Sequence, residues 1–245
     1  MKFYTKNFAR SVFIHPKVNL IILFDLILTA AAVFVLIQNF YFLKEKHDEF
    51  FSEDRVAKTY ELYVGDSVFP LTDKDRETFI GPPMELSLER WFGIRGDKNT
   101  EVCSHYRKIY REEKLMVAEP YEGIVKMLTD LKEAGFTLGV ASYKKSDYLG
   151  RILEGFGLDK FFDVISGSDY SGKLTKSDII RSSLQTLNIE DKSRVLMVGD
   201  TSYDSEGAEG AGIDFCFAEW GFGKRSEVEA VLSAKTPKEI IGFLV

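Results

Sequence analysis

Two aspartates follow an apolar run in the carboxyl-terminal part of the sequence. In VLMVGDTSYDSEGAEGAGID the apolar residues end at Gly199, Asp200 comes next, and Asp204 follows four positions later. Hard carboxylate oxygens at the end of a strand suit Mg²⁺, which takes one or two carboxylates together with water and substrate phosphate. The same spacing is also typical of a strand-to-helix turn whose aspartates cap the helix. On spacing alone, both interpretations stay open.

Groups that could bind a phosphate lie in two further segments. VASYKK ends an apolar run at Ser142, a hydroxyl followed by backbone amides that could hold a phosphate oxygen, although a serine there also serves as a turn or cap. SGKLTKSDII places Lys173 and Lys176 just before a helical pattern, where either could neutralise phosphate charge. Lysines in such loops are more often simply solvated.

A single aspartate, Asp25, interrupts the apolar run IILFDLILTAAAVF. A central strand of a parallel sheet is buried on both faces and is uniformly apolar, so VNLIILF predicts a strand with Asp25 at its carboxyl end, where ligands bind in open α/β sheets. The alternative is a membrane anchor over residues 18–37, because the run has basic flanks and enough length. An aspartate at the centre of such a helix costs about 2.5–3.5 kcal/mol.

The segments from Pro120 onward alternate between helical and strand periodicity, which predicts an α/β fold with a Rossmann-like parallel sheet covered by helices on both faces. Strands are predicted in FTLGVAS, FFDVIS, RVLMVGD and IDFCFA. Helices are predicted in YEGIVKMLTDLKEAG with Ile124, Val125, Leu128 and Leu131 on one face, in SDYLGRILEGFG capped by Ser146, in SDIIRSSLQTLN, near DSEGAEGAG, and at two capping boxes, Ser226 to Glu229 and Thr236 to Glu239.

No strand pattern persists between residues 38 and 118, where SEDRVAKTYELYV, DKDRETF and NTEVCSHYRKIYREEKL read as helices. The sequence therefore predicts an α/β core formed by residues 1–37 and 119–245, with a small helical cap, residues 38–118, inserted after the first strand. A net charge of −6 offers no broad cationic surface, so nucleic acid is not an expected partner. Cys103 and Cys216 have no zinc-type spacing and are expected to be buried in a reducing compartment.

Taken together, these motifs resemble the haloacid dehalogenase-like hydrolases, especially their phosphoglycolate phosphatase-like and 5'-nucleotidase-like members. FDLILT matches the first motif of that family through Asp25 and Thr29, VASYK matches the second through Ser142, TKSDII matches the third through Lys176 rather than Lys173, and VGDTSYD matches the fourth through Asp200 and Asp204. The resemblance spans about residues 18–225.

The resemblance implies Mg²⁺-dependent hydrolysis of a small phosphomonoester, such as phosphoglycolate or a nucleoside monophosphate, through an aspartyl-phosphate at Asp25. Asp25, Asp200 and the carbonyl of residue 27 would hold the metal, with Asp204 bound directly or in an outer shell. Ser142 and Lys176 would bind the phosphate oxygens. The expected protein is a cytoplasmic monomer or homodimer, with membrane anchoring as the alternative.

The first motif departs from the family pattern at two positions. Ile27 stands where relatives carry the aspartate that protonates the leaving group, and Leu28 stands where they carry glycine. Loss of general acid help, typically worth ~10²–10⁴-fold, predicts a slow enzyme or a phosphate-binding protein without turnover. The apolar segment that follows, residues 26–50, is open to three interpretations: an additional cap helix, a membrane-facing or partner-facing helix, or the product of a shifted reading frame in a decayed gene.

Overall fold

The computed structural model of the chain describes residues 21–24, 60–64, 67–71, 82–116 and 119–244. The chain divides into two compact units, Met1–Leu28 with Glu119–Val245, and Thr29–Ala118. The candidate site belongs to the first of these units. The domain limits predicted from the sequence stay a prediction, because the passage from one unit to the other near residue 28 lies outside the described residues.

A six-stranded sheet forms the centre of the first unit, and all its neighbouring strands run parallel. The strand order is β5-β4-β1-β6-β7-β8. The strands are β1 (Ile21–Phe24), β4 (Thr137–Lys145), β5 (Val164–Ser168), β6 (Val195–Gly199), β7 (Asp214–Ala218) and β8 (Leu232–Ala234), while β2 (Tyr60–Val64) and β3 (Ser67–Leu71) belong to the second unit. Helices cover both faces of the sheet, so the predicted fold class is confirmed.

Seven α-helices are described in the two units. In the second unit they are α1 (Met84–Phe92) and α2 (Gly96–Ile109), which continues into a π-helical turn (Tyr110–Lys114); in the first unit they are α3 (Ile124–Glu133), α4 (Ser146–Gly155), α5 (Lys176–Thr186), α6 (Ser202–Ala211) and α7 (Pro237–Leu244). The predicted first strand is confirmed at Ile21–Phe24, which pairs with both β4 and β6 and is therefore central.

Alternating residues of the central strands supply both layers of the core. Val195 and Met197 of β6, together with Phe215 and Phe217 of β7, pack against α5 and α6 in one apolar cluster. The intervening residues, among them Leu196 and Val198, are also fully buried. Because both faces are covered, these strands read as unbroken apolar runs in the sequence rather than as alternating ones.

Several local predictions are wrong. Tyr60–Val64 and Ser67–Leu71 form an antiparallel hairpin where a helix was predicted for SEDRVAKTYELYV. Only Gly65 and Asp66 separate the two strands in the sequence, and a two-residue Gly-containing link between β-prone runs is a hairpin signal. By contrast, the predicted helix in NTEVCSHYRKIYREEKL is confirmed by α2 and the π-helical turn.

The ends and faces of some helices also differ from prediction. Ser146 is the first residue of α4 rather than its cap, and Lys145 occupies the cap position. Val125 is 52% exposed, while Met127 takes its place on the buried face of α3. Ser226, predicted to begin a capping box, lies inside a short 3₁₀ turn, Arg225–Glu227. Thr236 does precede a helix, α7, which starts at Pro237.

The burial predicted for the two cysteines is confirmed. Cys103 and Cys216 are both buried and carry no disulfide. Among the residues with described positions, no helix has the length and apolar character needed to cross a bilayer. Ile21–Phe24 form a strand, and residues 25–37 of the proposed anchor lie outside the described part of the chain.

Candidate active site

Asp204 lies at the turn between β6 and α6, where it completes a helix cap. Thr201 is the N-cap of α6, and its hydroxyl accepts a hydrogen bond from the backbone N–H of Asp204. In return, Oδ2 of Asp204 accepts hydrogen bonds from the Thr201 backbone N–H (3.0 Å), the Thr201 hydroxyl (2.8 Å) and the Asp200 backbone N–H (3.2 Å). The capping interpretation of this aspartate is therefore confirmed, and the cap holds the backbone of Asp200 in place.

A buried ion pair joins this turn to the start of α5. Lys176 Nζ lies 2.8 Å from Oδ1 of Asp204, and the two side chains are only 2% and 1% exposed. Burial by itself opposes ionisation of Asp204, but the Lys176 charge and the hydrogen bonds from Lys176 and Thr201 outweigh it and hold the carboxyl's pKa below its usual range. Gly207 of α6 makes room for the lysine, because a Cβ there would lie 2.4 Å from Lys176 Cγ.

Tyr143 fixes the start of α5 against the end of β4. Its hydroxyl oxygen accepts a hydrogen bond from the Lys176 backbone N–H at 2.8 Å, and its ring centroid lies 5.6 Å from Lys176 Nζ. A cation over an aromatic face is attracted by the ring quadrupole. The lysine is therefore positioned at its backbone by Tyr143 and at its ammonium group by Asp204 and the Tyr143 ring.

Ser142 is buried, with 1% of its surface exposed, and lies within β4 rather than after it. The pairing of β4 with β5 shifts between Ala141 and Lys145, so Ser142 occupies an irregular part of the strand. Its hydroxyl accepts a hydrogen bond from the Lys144 backbone N–H at 3.1 Å. Such irregularities redirect side chains locally, and β4 continues past the predicted end to Lys145.

Asp200 follows β6 and is 1% exposed. Its Oδ2 accepts a hydrogen bond from the Phe222 backbone N–H at 2.6 Å. Burial raises the pKa of the Tyr121 hydroxyl, and the charge of Asp200 adds to that shift. The Phe222 amide thus gives Asp200 a hydrogen bond from a segment that sequence spacing did not connect with it.

Asp25, the predicted nucleophile, lies outside the described residues, as do Ile27, Leu28 and Thr29. It follows Phe24 directly in the sequence, and Phe24 is in register with Val140 of β4 and Val198 of β6. Those two residues each precede a predicted site residue, Ser142 and Asp200, by two positions. The strand that precedes Asp25 in the sequence therefore lies between the strand that contains Ser142 and the strand that precedes Asp200.

The donor set fits Mg²⁺ only in part within the described residues. Asp200 supplies hard oxygens at the end of β6, as the metal prefers. Asp204, however, already pairs with Lys176 and accepts hydrogen bonds from Thr201 and the Asp200 backbone. These contacts favour an outer-shell role, in which Asp204 orients other groups and does not coordinate the metal directly. Over the described ranges, no group of three or more His, Cys, Asp or Glu side chains is close enough to form a metal centre.

The structure separates the two candidate lysines and adds residues that the sequence did not suggest. Lys173 is exposed, whereas Lys176 is buried in the ion pair. Tyr143, Gly207 and the Phe222 amide were not predicted. Their roles depend on contacts between segments far apart in the chain, and the G-x-G pattern around Phe222 was the only local signal for any of them.

Comparisons with known proteins identify the family of the chain. A family model described as haloacid dehalogenase-like hydrolase matches residues 52–218, a range that does not include the first motif. The chain is 35% identical over 162 residues to the tyrosine-protein kinase PtkA of Mycobacterium tuberculosis, covering 65% of this chain but only 55% of the kinase. It is 31% identical over 169 residues to a phosphoglycolate phosphatase of Aquifex aeolicus, covering 68% of this chain and 77% of that protein.

Solved structures extend the likeness over nearly the whole chain. A haloacid dehalogenase-like hydrolase family protein from Streptococcus pneumoniae superposes with a TM-score of 0.72 at 22% identity, covering 94% of this chain and all of that one. The structure of PtkA from Mycobacterium tuberculosis gives a TM-score of 0.66 at 27% identity, covering 91% and 97%. The family match extends over more than half of the chain. This chain belongs to the haloacid dehalogenase-like hydrolases.

Proposed function

We propose that the protein hydrolyses a small phosphomonoester, such as phosphoglycolate or a nucleoside monophosphate, in a Mg²⁺-dependent reaction with Asp25 as nucleophile. The observation that carries the proposal is the buried Lys176–Asp204 ion pair beside Asp200. This pair brings a lysine that could bind phosphate next to the turn that contains the two aspartates. Proteins similar to this chain include a tyrosine-protein kinase, a 5'-nucleotidase, a pyrophosphatase and a phosphoglycolate phosphatase, and all of these names describe chemistry on phosphoryl groups.

The proposal gives each candidate site residue a part in this reaction. Lys176 and Ser142 bind the non-bridging phosphate oxygens, over which negative charge is spread in the transition state. Asp25 attacks phosphorus and displaces the leaving oxygen, which takes its proton from water because Ile27 cannot supply one; a second water then hydrolyses the aspartyl-phosphate, which releases phosphate and regenerates Asp25. Asp25 and Asp200 would hold Mg²⁺, which when bound offsets the repulsion between the phosphate and the attacking carboxylate. Asp204 does not contact the substrate in this proposal; it holds the Lys176 ammonium and the Asp200 backbone in position.

Ile27 sets the expected rate. An isoleucine cannot protonate the departing alcohol, and general acid help is typically worth ~10²–10⁴-fold. Substrates with good leaving groups depend less on that proton. The proposal therefore predicts measurable hydrolysis of an aryl phosphate and much slower hydrolysis of alkyl phosphates.

Phosphate release from p-nitrophenyl phosphate, measured with Mg²⁺ and with EDTA, tests the proposal. Activity should require Mg²⁺ and should be abolished by Asp25→Asn. The paired substitution Ile27→Asp with Leu28→Gly restores the family's acid and turn residue, so it should raise the rate on alkyl phosphates. Turnover that survives Asp25→Asn would reject this nucleophile.

A second candidate function is phosphate binding without turnover, which the missing acid at position 27 favours. In that case ordinary phosphate esters would not be hydrolysed, while Mg²⁺ and a tetrahedral oxyanion such as tungstate would still bind at Lys176 and Ser142. Calorimetric titration with Mg²⁺ and tungstate separates the two candidates when it is combined with the activity assay. Failure of the protein to bind either ligand would reject both.

The proposed location is the cytoplasm, and the proposed assembly is a monomer or a homodimer. The competing location is the membrane, through residues 18–37. Fractionation of cells that express the full chain decides between them, since an anchored protein sediments with membranes and resists extraction with salt. Size-exclusion chromatography with light scattering gives the assembly state.

A further inference from the structure

The loop that follows β7 returns to the acidic turn at Asp200. β7 ends at Ala218, and the Gly221 backbone N–H donates to the Ala218 carbonyl at 3.3 Å, which closes the loop. The next N–H along the chain, that of Phe222, donates to Oδ2 of Asp200 at 2.6 Å. A loop 22 residues away in sequence therefore supplies a backbone donor to the buried carboxylate proposed to hold Mg²⁺.

Two glycines on either side of Phe222 allow this close approach. A Cβ at Gly221 would lie 2.2 Å from Cβ and Oδ2 of Asp200, and a Cβ at Gly223 would lie 1.7 Å from the Asp200 carbonyl oxygen. Neither distance is compatible with a side chain unless the backbone moves. Phe222 itself is 44% exposed, so its backbone amide rather than its ring makes the described contact with the aspartate.

We infer that Gly221, Phe222 and Gly223 form a positioning element for the metal-binding carboxylate. The Phe222 amide holds Oδ2 and thereby sets the plane of the Asp200 carboxylate. Residues that hydrogen-bond a ligand from behind orient it, and their loss typically weakens metal affinity about 10–100-fold. This inference rests on the proposed function, because it assumes that Asp200 binds Mg²⁺.

Direct titration of the full-length chain with Mg²⁺, by calorimetry and without substrate, tests the inference independently of turnover. Gly221→Ala should weaken Mg²⁺ binding about 10–100-fold, because the added methyl displaces either the loop or the carboxylate. Gly242→Ala is the matched control, since a Cβ at that glycine meets nothing within 4 Å. Phe222→Ala is the second control, because it removes the ring and keeps the amide. Both controls should bind Mg²⁺ within about twofold of wild type.

A backbone substitution covers the case in which Gly221→Ala fails to fold. Replacing Phe222 with its α-hydroxy acid converts the amide to an ester, which removes the N–H and keeps the ring. This variant should also bind Mg²⁺ about 10-fold or more weakly, with a circular dichroism spectrum like that of wild type.

The outcomes separate the inference from the proposed function. Wild-type Mg²⁺ affinity in the folded ester variant would overturn the inference while leaving the phosphatase proposal intact. A wild-type protein that neither binds Mg²⁺ nor hydrolyses p-nitrophenyl phosphate would overturn both. Weakened binding in the ester variant, with unchanged binding in both controls, would establish the loop as a positioning element.

Discussion

Removal of Lys176 tests whether the ion pair at the centre of the site is as deeply buried as its side-chain exposures of 2% and 1% indicate. Lys176→Met keeps the aliphatic length of the side chain and deletes the ammonium group. The Asp204 carboxylate then stays buried with its remaining donors, the Thr201 N–H and hydroxyl and the Asp200 N–H. Breaking a buried ion pair from one side typically costs about 3–5 kcal/mol.

The lower end of that range is expected, because three hydrogen bonds to Asp204 survive the substitution. The free energy of unfolding should therefore fall by about 3 kcal/mol. Adding Asp204→Asn to Lys176→Met removes the stranded charge, so the double variant should lose less than the sum of the two single variants, with a coupling energy of about 2 kcal/mol.

Urea unfolding gives these energies. The chain has two tryptophans, and Trp91→Phe leaves Trp220 as a fluorescent reporter in the unit that contains the ion pair. Lys126→Met is a matched control, because Lys126 pairs with Asp130 on the exposed surface of α3. This variant should unfold at the same urea concentration as wild type, since exposed ion pairs contribute little to stability. If Lys176→Met unfolded at the same urea concentration as Lys126→Met, the reasoning from burial would be refuted.

Further predictions concern the same unit. Ionisation of Asp204 is favoured in the fold, so its stabilisation should be complete above pH ~4 and should fall as pH drops through its lowered pKa. In urea titrations, the free energy of unfolding of wild type should therefore exceed that of the double variant Asp204→Asn with Lys176→Met by a constant amount above pH ~4, and this difference should shrink at lower pH. Burial raises the pKa of Asp214 to about 6, so its charge destabilises the fold increasingly from pH ~4 to ~6 and by a constant amount above that range; Asp214→Asn should raise Tm at pH 7.5 and leave it unchanged at pH 3.5 in thermal melts. Tyr143→Phe deletes the acceptor of the Lys176 amide and should lower the free energy of unfolding by about 1 kcal/mol in urea titrations. Ser142→Ala should reduce kcat/KM for p-nitrophenyl phosphate by ~10²-fold with unchanged Mg²⁺ binding, and equal kcat/KM would remove this hydroxyl from the site.

The elements that sequence patterns predicted well are those whose burial is uniform or strictly periodic. VLMVG and DFCFA are buried at every position, so their composition alone marks them as central strands. The helix beginning at Lys176 has a local start signal, since Thr175 and Asp178 form a capping box that needs no distant partner. The match of four ordered motifs likewise identified the family before the fold was known.

Elements were predicted less well where the local sequence fits both a helix and a strand, or where burial depends on distant residues. The pattern of SEDRVAKTYELYV predicts a helix where Tyr60–Val64 forms one strand of a hairpin, because charged residues precede the strand and its alternation covers only a few positions. Val125 was assigned to the buried face of α3 because it is apolar, yet the face that packs includes Met127 instead. Side-chain type alone does not fix which of two adjacent apolar residues turns inward.

The sequence by itself determined the fold class, the family and the identities of Ser142, Lys176, Asp200 and Asp204 as site candidates, because strand composition, helix caps and motif order are properties of short segments. Only the tertiary structure decided that Lys176 rather than Lys173 pairs with Asp204, and that the Phe222 amide holds Asp200. Both contacts join residues more than 20 positions apart. Their formation depends on how the parallel sheet brings the ends of separate strands to one edge, which no local pattern encodes.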